Sequence, residues 1–372
     1  MTQPGILHPR RRALRFAGGL AATTLMTALA WSTAAFAEVP GALIEAAKKE
    51  GKVVVDGPPI NTVREALTKG FEKRYGIPVS YISSGTSKSG SRVRAERAGD
   101  KFLLDVFISG ADTPILTFKK SGWLAPIEPA LVDPEVTNGA NWSDGHLWYM
   151  DPDKTILRML RYVTPQLVVN TKFVKADEIK SWTDLLKPKY KGKITAKDPS
   201  ISGSGASLTA YFYFNYGEEF VRGLYKKQDP FLSRSGRQIV QSVAQGKYPI
   251  AVGPSVTEFQ KFKERGFPLA VVSPTDGPGM ISGGWGALCL MDKAPNPNAA
   301  KLFINWLASK EGQTIYSQAV VSLSLRTDVP RDWAPDYITV EKGRKYMDTY
   351  AYEFVTKERA EGFDRVRKLL GL

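Results

Sequence analysis

The segment Lys52-Val-Val-Val-Asp56-Gly-Pro-Pro59, with the helical pattern that starts at Thr62, decides the fold. Three consecutive β-branched residues, Val53, Val54 and Val55, suit a strand buried on both faces. Gly57-Pro58-Pro59 then stops it. Thr62 can cap a helix, in which Val63, Ala66, Leu67, Gly70 and Phe71 hold the i, i+3, i+4 spacing of one apolar face. A helix over Ile44 to Glu50 precedes this unit. After it, Ile77, Val79 and Tyr81 alternate as in a strand with one buried face, which ends in Ser83-Ser-Gly-Thr-Ser87. A basic helix follows through about Ala98, and Leu103-Leu-Asp-Val-Phe-Ile108 reads as a third strand that ends at Ser109-Gly-Ala111. Strands separated by helices imply parallel βαβ units with right-handed crossovers, hence an α/β fold.

The alternation resumes in the second half. Leu167-Val-Val-Asn170 is a strand, and Ser181-Trp-Thr-Asp184 carries a capping-box pattern. A strand over Lys193 to Lys197 runs into Asp198-Pro-Ser-Ile-Ser-Gly-Ser-Gly-Ala206, then a helix with Leu208, Tyr211, Phe212 and Asn215, and another from about Glu218. Helix Arg237 to Gln245, strand Tyr248 to Val252, loop Gly253-Pro-Ser255, a helix to Lys263 and strand Leu269 to Val272 repeat the pattern. Gly283-Gly-Trp285 precedes a strand around Cys289, and Asn298 to Ser309 is an amphipathic helix. A chain of 372 residues exceeds what one core usually supports, so two domains are expected.

The first 37 residues read as a cleaved export signal rather than as part of the fold. Arg10, Arg11, Arg12 and Arg15 open it, an apolar run follows from Phe16 to Trp31, and Ala35-Phe36-Ala37 closes it with an A-x-A pattern before Glu38. The apolar run is shorter than the roughly 20 residues a membrane span needs. Arg11-Arg12-Ala13-Leu14 fits a twin-arginine signal, and an ordinary secretory signal with extra arginines fits equally. The leader takes four of the 51 Lys and Arg and none of the 37 Asp and Glu, so the rest of the chain keeps an excess of ten positive charges. That excess is spread out, without the stripe of interleaved aromatics that nucleic acid requires. A periplasmic protein with a bias toward anions is expected instead.

Few residues are available for catalysis. Cys289 is the single cysteine, which excludes an internal disulfide, and its apolar neighbours mark a buried, inert thiol. Outside the leader His146 is the only histidine, so neither a histidine metal site nor a Ser-His-Asp triad can be assembled. There is no GxSxG elbow, and an exported hydrolase is a remote alternative. No catalytic residue, resident metal or cofactor is expected. The candidate site lies in the Gly/Ser/Thr-rich turns after the carboxyl ends of strands, where α/β proteins bind ligands and helix N-termini favour anions. In the first half these candidates are Ser84, Gly85, Thr86, Ser87 and Ser109. In the second they are Ser202, Ser204, Gly205, Ser255 and Glu258, with Ser282, Gly283 and Trp285 near the return. Asp198 and Glu258 offer charge to a ligand ammonium, and Arg326 to a carboxylate.

Seven segments in order give the chain a family resemblance. They are Ala46-Ala-Lys-Lys-Glu-Gly-Lys-Val-Val-Val55, Phe71-Glu-Lys-Arg-Tyr-Gly-Ile-Pro-Val79, Asp105-Val-Phe-Ile-Ser109, Gly122-Trp-Leu-Ala-Pro-Ile127, Leu167-Val-Val-Asn-Thr171, Ser181-Trp-Thr-Asp-Leu-Leu186 and Ala299-Ala-Lys-Leu-Phe-Ile-Asn-Trp-Leu307. Together they resemble the periplasmic solute-binding proteins of ABC importers, of the ferric-iron type. The resemblance implies a type II periplasmic binding protein fold: two α/β lobes with mixed sheets and flanking helices, joined by crossover strands near 164–170 and 284–291, with a ligand cleft between them. It implies lobe 1 over 38–163, lobe 2 over 164–288, and a return to lobe 1 with C-terminal helices over 289–372. The implied partners of this monomer are a small-molecule ligand and the inner-membrane permease of the importer. The chain departs from the family at the iron ligands. Where an adjacent tyrosine pair belongs, it reads Val252-Gly-Pro-Ser-Val-Thr-Glu-Phe-Gln-Lys-Phe262, and Tyr211, Tyr213 and Tyr216 sit on an apolar helix. The reading is therefore a small anionic organic solute (a phosphorylated sugar, phosphonate or carboxylate), with ferric iron as the alternative. If the twin-arginine reading holds, replacing Arg11 and Arg12 by lysines blocks export in a cell-fractionation assay; unchanged export removes that reading.

Overall fold

The computed structural model describes residues 39–372, so the export segment lies outside the described residues. The valine run becomes strand Val53–Gly57, parallel to Val79–Ser83 on one side and to Val106–Ser109 on the other. Antiparallel Ala287–Met291 continues this sheet and also pairs with Leu124–Ala125 and Ile156–Arg158. Helix Asn61–Tyr75 buries Val63, Leu67 and Phe71 against it, and Gly76, at φ 70°, ends the helix. Phe71 meets Phe303 and Trp306 edge-on, with ring centroids 5.0 and 5.5 Å apart, which joins this helix to helix Pro297–Ala308. Thr62 does not cap, because the helix starts one residue earlier and the Thr62 hydroxyl donates instead to the Ala319 carbonyl at 3.3 Å.

The second sheet holds Ile194–Lys197 between Phe231–Ser233 and Ile250–Val252, all parallel; Leu167–Asn170 lies antiparallel beside Ile250–Val252, and edge strand Leu269–Val272 is antiparallel to it in turn. The capping box is present: Ser181 Oγ accepts from the Asp184 N–H at 3.1 Å, and the Asp184 carboxylate accepts from the Ser181 N–H at 3.0 Å. Helix Ser204–Arg222 covers this sheet, and the C-terminal helix Arg359–Leu370 packs on that helix. A Cβ on Gly362 would sit 2.9 Å from Ala210 Cβ, so the close approach of the two helices depends on that glycine.

The chain passes between the sheets through a small third sheet made of Tyr162–Val163, Gly279–Ser282 and Tyr346–Asp348. Its first two strands adjoin the expected crossovers near 164–170 and 284–291. Leu167–Asn170 and Ala287–Met291 are strands of the two main sheets, because longer apolar runs fill cores. The third crossing was not foreseen. Arg158, at the edge of the first sheet, fastens it through a two-pronged pair with Asp348 at 2.8 and 3.0 Å.

Cys289 is buried, and burial pushes its thiol pKa well up. His146 lies on the surface. Arg326 is fully buried and held by Glu135 at 2.9 Å and Asp328 at 2.7 Å, so it serves the core of the first lobe. Asp105 does similar work. Its carboxylate accepts the Val54 N–H and the Asn296 N–H at 2.7 Å each and the Asn296 side-chain N–H at 2.8 Å, tying sheet to helix start. Burial raises its pKa above the usual carboxylate range against the pull of these bonds. Asp105→Ala leaves buried donors without an acceptor, and a loss of about 3 kcal/mol in urea unfolding is expected. A loss under about 1 kcal/mol would contradict this account.

Candidate functional site

Strands that run parallel and return through helices put their turns at one end, and in both sheets that end faces a common cleft of about 1010 Å³. Helices Asn61–Tyr75, Thr86–Ala98, Ser204–Arg222, Gly236–Ala244 and Val256–Glu264 all begin on its wall. Each first turn carries N–H groups without helical partners and a partial positive charge. Gly203, at φ 77°, makes the sharp entry to the Ser204 helix in a conformation other residues adopt with strain.

Nine of the expected residues line the cleft: Gly85, Thr86, Ser87, Ser202, Ser204, Ser255, Glu258, Ser282 and Trp285. Ser87 and Ser202 meet from opposite lobes with their hydroxyls 2.8 Å apart. Ser255 caps its helix by accepting the Glu258 N–H at 3.4 Å. Glu258 in turn sits 3.3 Å from the Lys261 ammonium and 3.9 Å from the Arg237 guanidinium, so its charge is answered locally. Ser282 Oγ accepts the Gly284 N–H at 2.9 Å and braces the turn before Trp285.

Four expected residues lie outside the cleft wall. The Ser84 hydroxyl turns inward, 3.2 Å from Asp56 Oδ1 and 2.5 Å from Ser89 Oγ, because Asp56 is buried and draws every nearby donor. Burial raises the Asp56 pKa even with Arg92 at 2.8 Å. Ser109 is buried, and its hydroxyl donates to the Gly110 carbonyl at 2.8 Å. Gly205 packs under Asp198 and Ile201, and Gly283 under Tyr350; a Cβ on either would stand within 2.7 Å of a neighbour. These positions serve close packing. Asp198 pairs with exposed Arg234 at 3.2 Å. Tyr211 donates to the Pro278 carbonyl at 2.7 Å, and the Tyr213 hydroxyl accepts from Arg365 at 3.0 Å; neither lines the cleft.

The sequence did not announce the most deeply buried cation of the site. Arg359 lines the cleft at 2% exposure, with Nη1 2.5 Å from Asp112 Oδ1 and 3.3 Å from Ser207 Oγ. Its Nη2 is buried without a hydrogen-bond partner. Asp112 spans the lobes, since its Oδ2 also accepts the Gly203 N–H at 2.6 Å. Among the described residues Lys88, Lys197, Arg234, Arg237 and Lys261 join Arg359 on the wall, against only Asp112 and Glu258. Burial lowers the Lys197 pKa, a sign that its ammonium lacks full compensation. Tyr162 and Tyr350 also line the cleft, and burial raises both phenol pKa values. Among the described residues no cluster of three His, Cys, Asp or Glu side chains gathers as a metal ion would need.

Comparison with known proteins follows the same lines. The chain is 23% identical over 275 residues to a Salmonella typhimurium protein provisionally named a 2-aminoethylphosphonate-binding periplasmic protein, covering 70% of this chain and 73% of that one. The fold resembles the periplasmic binding protein AfuA from Actinobacillus pleuropneumoniae, solved with fructose-6-phosphate, at TM-score 0.70 and 22% identity over 87% of this chain and 99% of that one. It also resembles iron-bound HitA from Pseudomonas aeruginosa, at TM-score 0.65 and 18% identity over 85% and 99% of the two chains. The type II periplasmic binding protein fold read from the sequence is thus the fold of the chain. Residues 66–341 match the model of the bacterial extracellular solute-binding proteins, and the chain belongs to that family.

Proposed function

We propose that this protein is the periplasmic component of an ABC importer and captures a small organic anion that carries a phosphoryl or phosphonyl group. The observation that carries this reading is Arg359, a buried guanidinium on the cleft wall with Nη2 unpartnered. A buried donor of that kind is costly unless something accepts from it, and a planar guanidinium suits the oxygens of a phosphate or phosphonate. Five helix starts and a surplus of cations add to the same field. The phosphonate in the name of the Salmonella relative and the sugar phosphate in AfuA fit this chemistry. Ser87, Thr86, Ser202, Ser204 and Ser255 supply neutral donors around the charged group. The family is one of binding proteins, and surface-exposed His146 gives a hydrolase nothing to work with.

Ferric iron is the second reading, and the likeness to iron-bound HitA and the presence of Tyr162 and Tyr350 on the cleft wall favour it. Against it, burial raises both phenol pKa values and so opposes the phenolate that iron would need, and the Tyr350 hydroxyl donates to the Gly284 carbonyl. Ferric iron prefers anionic oxygen ligands. Exposure to ferric citrate is expected to leave the protein colourless; a phenolate charge-transfer band in the visible would restore the iron reading.

The direct test is a thermal-shift screen followed by calorimetry with fructose-6-phosphate, 2-aminoethylphosphonate and inorganic phosphate, since a ligand that binds only the folded state raises its stability. At least one is expected to bind, and Arg359→Ala is expected to weaken that binding about 100-fold. Arg359→Lys keeps the charge and loses the fork, so it recovers part of the affinity. Equal binding by wild type and Arg359→Ala would sink the proposal.

A further inference from the structure

We infer that Asp112 is a built-in counter-anion that occupies the donors an anionic ligand would use and so sets how tightly the site holds that ligand; this rests on the anionic reading above. Asp112 follows strand Val106–Ser109 of the first lobe, yet both of its oxygens are used across the cleft. Oδ2 accepts the Gly203 N–H at 2.6 Å, at the start of helix Ser204–Arg222. Oδ1 lies 2.5 Å from Arg359 Nη1, on the helix that packs beside it. These are the donors an incoming anion needs, namely a helix-start N–H and a buried guanidinium. Beside them, Ser87 and Ser202 join the same two lobes at 2.8 Å. Asp112 therefore neutralises these donors and links the two lobes.

The consequence for affinity follows from counting donors and charges. Any anion that takes these donors must displace Asp112, so the aspartate lowers the affinity of every such ligand. A phosphoryl or phosphonyl group brings three oxygens and a charge of about −1.5 to −2 near neutral pH. It can take the Gly203 N–H, Nη1 and the idle Nη2 of Arg359 together, which Asp112 does not do. Once displaced, the Asp112 charge faces the ligand's, and that repulsion is at least as strong for a phosphoryl group as for a carboxylate.

The experiment compares matched ligands on the full-length processed protein and on Asp112→Asn. 2-Aminoethylphosphonate and β-alanine share an aminoethyl chain and differ in the anionic group; inorganic phosphate and acetate make a second pair. Calorimetry is expected to show Asp112→Asn binding both members of each pair tenfold or more tighter than wild type, the phosphorus member gaining at least as much as the carboxylate. Asp112→Glu, which keeps the charge, is expected to bind as wild type does; its thermal unfolding and that of Asp112→Asn show whether each variant is folded. Unchanged or weaker binding of the phosphorus members by Asp112→Asn overturns the counter-anion role and leaves the anionic reading standing. Failure of wild type and Asp112→Asn alike to bind any phosphorus probe, fructose-6-phosphate included, would sink both.

Discussion

Parallel strands dictate where helix ends go. A strand that advances to the edge of its sheet and returns through a right-handed crossover must place the first turn of the next helix at that edge. Val53–Gly57 and Val79–Ser83 obey this rule in one lobe, and Ile194–Lys197, Phe231–Ser233 and Ile250–Val252 in the other. Because the two edges face each other, five helix starts converge on one volume. The chain thereby concentrates positive potential before any side chain is considered, and Lys88, Lys197, Arg234, Arg237, Lys261 and Arg359 deepen it. Such a concentration of positive charge calls for anions. Among the described residues the two carboxylates on its wall, Asp112 and Glu258, are each engaged with cations.

The connection between the lobes is as specific as the site. Three short strands carry the chain across, and each is held by something other than its own length. Arg158 grips Asp348 on the third strand. Tyr350 reaches back to the Gly284 carbonyl. Gly284 itself, at φ 55°, is so close to Tyr162 that a Cβ would stand 2.8 Å from the phenol oxygen. Crossings are where closure motions in two-lobed proteins take place, and here they adjoin the cleft through Tyr162, Ser282 and Tyr350.

Much of the fold and part of the site are legible in the sequence, for reasons particular residues make plain. Val53 to Val55, the periodic helix after them and the capping box at Ser181 are local patterns, and local patterns survive into structure. Gly85 to Ser87, Ser202, Ser204 and Ser255 are readable because turn chemistry and helix starts coincide at strand ends. Ser84 shows the limit of that signal. Whether a loop hydroxyl faces a ligand or a buried carboxylate depends on Asp56 and Arg92, which the loop does not announce. Arg359 was illegible for a different reason. It lies in a charged C-terminal helix that reads as a solvated face, and it reaches the cleft only because Gly362 lets that helix lie close on Ser204–Arg222, 152 residues away in sequence from its Ser207 partner. The third crossing, Tyr346–Asp348, is too short and too half-buried to stand out from loop.

The burial of Cys289 has a practical reach beyond packing. The sequence contains one sulfhydryl, and the core shields it on every side. Any cysteine introduced at the surface would be the sole thiol open to a maleimide dye, with no need to strip native ones first. A dye carried by Asn61→Cys would sit at an exposed position on the cleft wall, clear of the proposed donors. Its brightness would change as the lobes part and meet, so the protein is a ready scaffold for an optical sensor of whatever solute it captures.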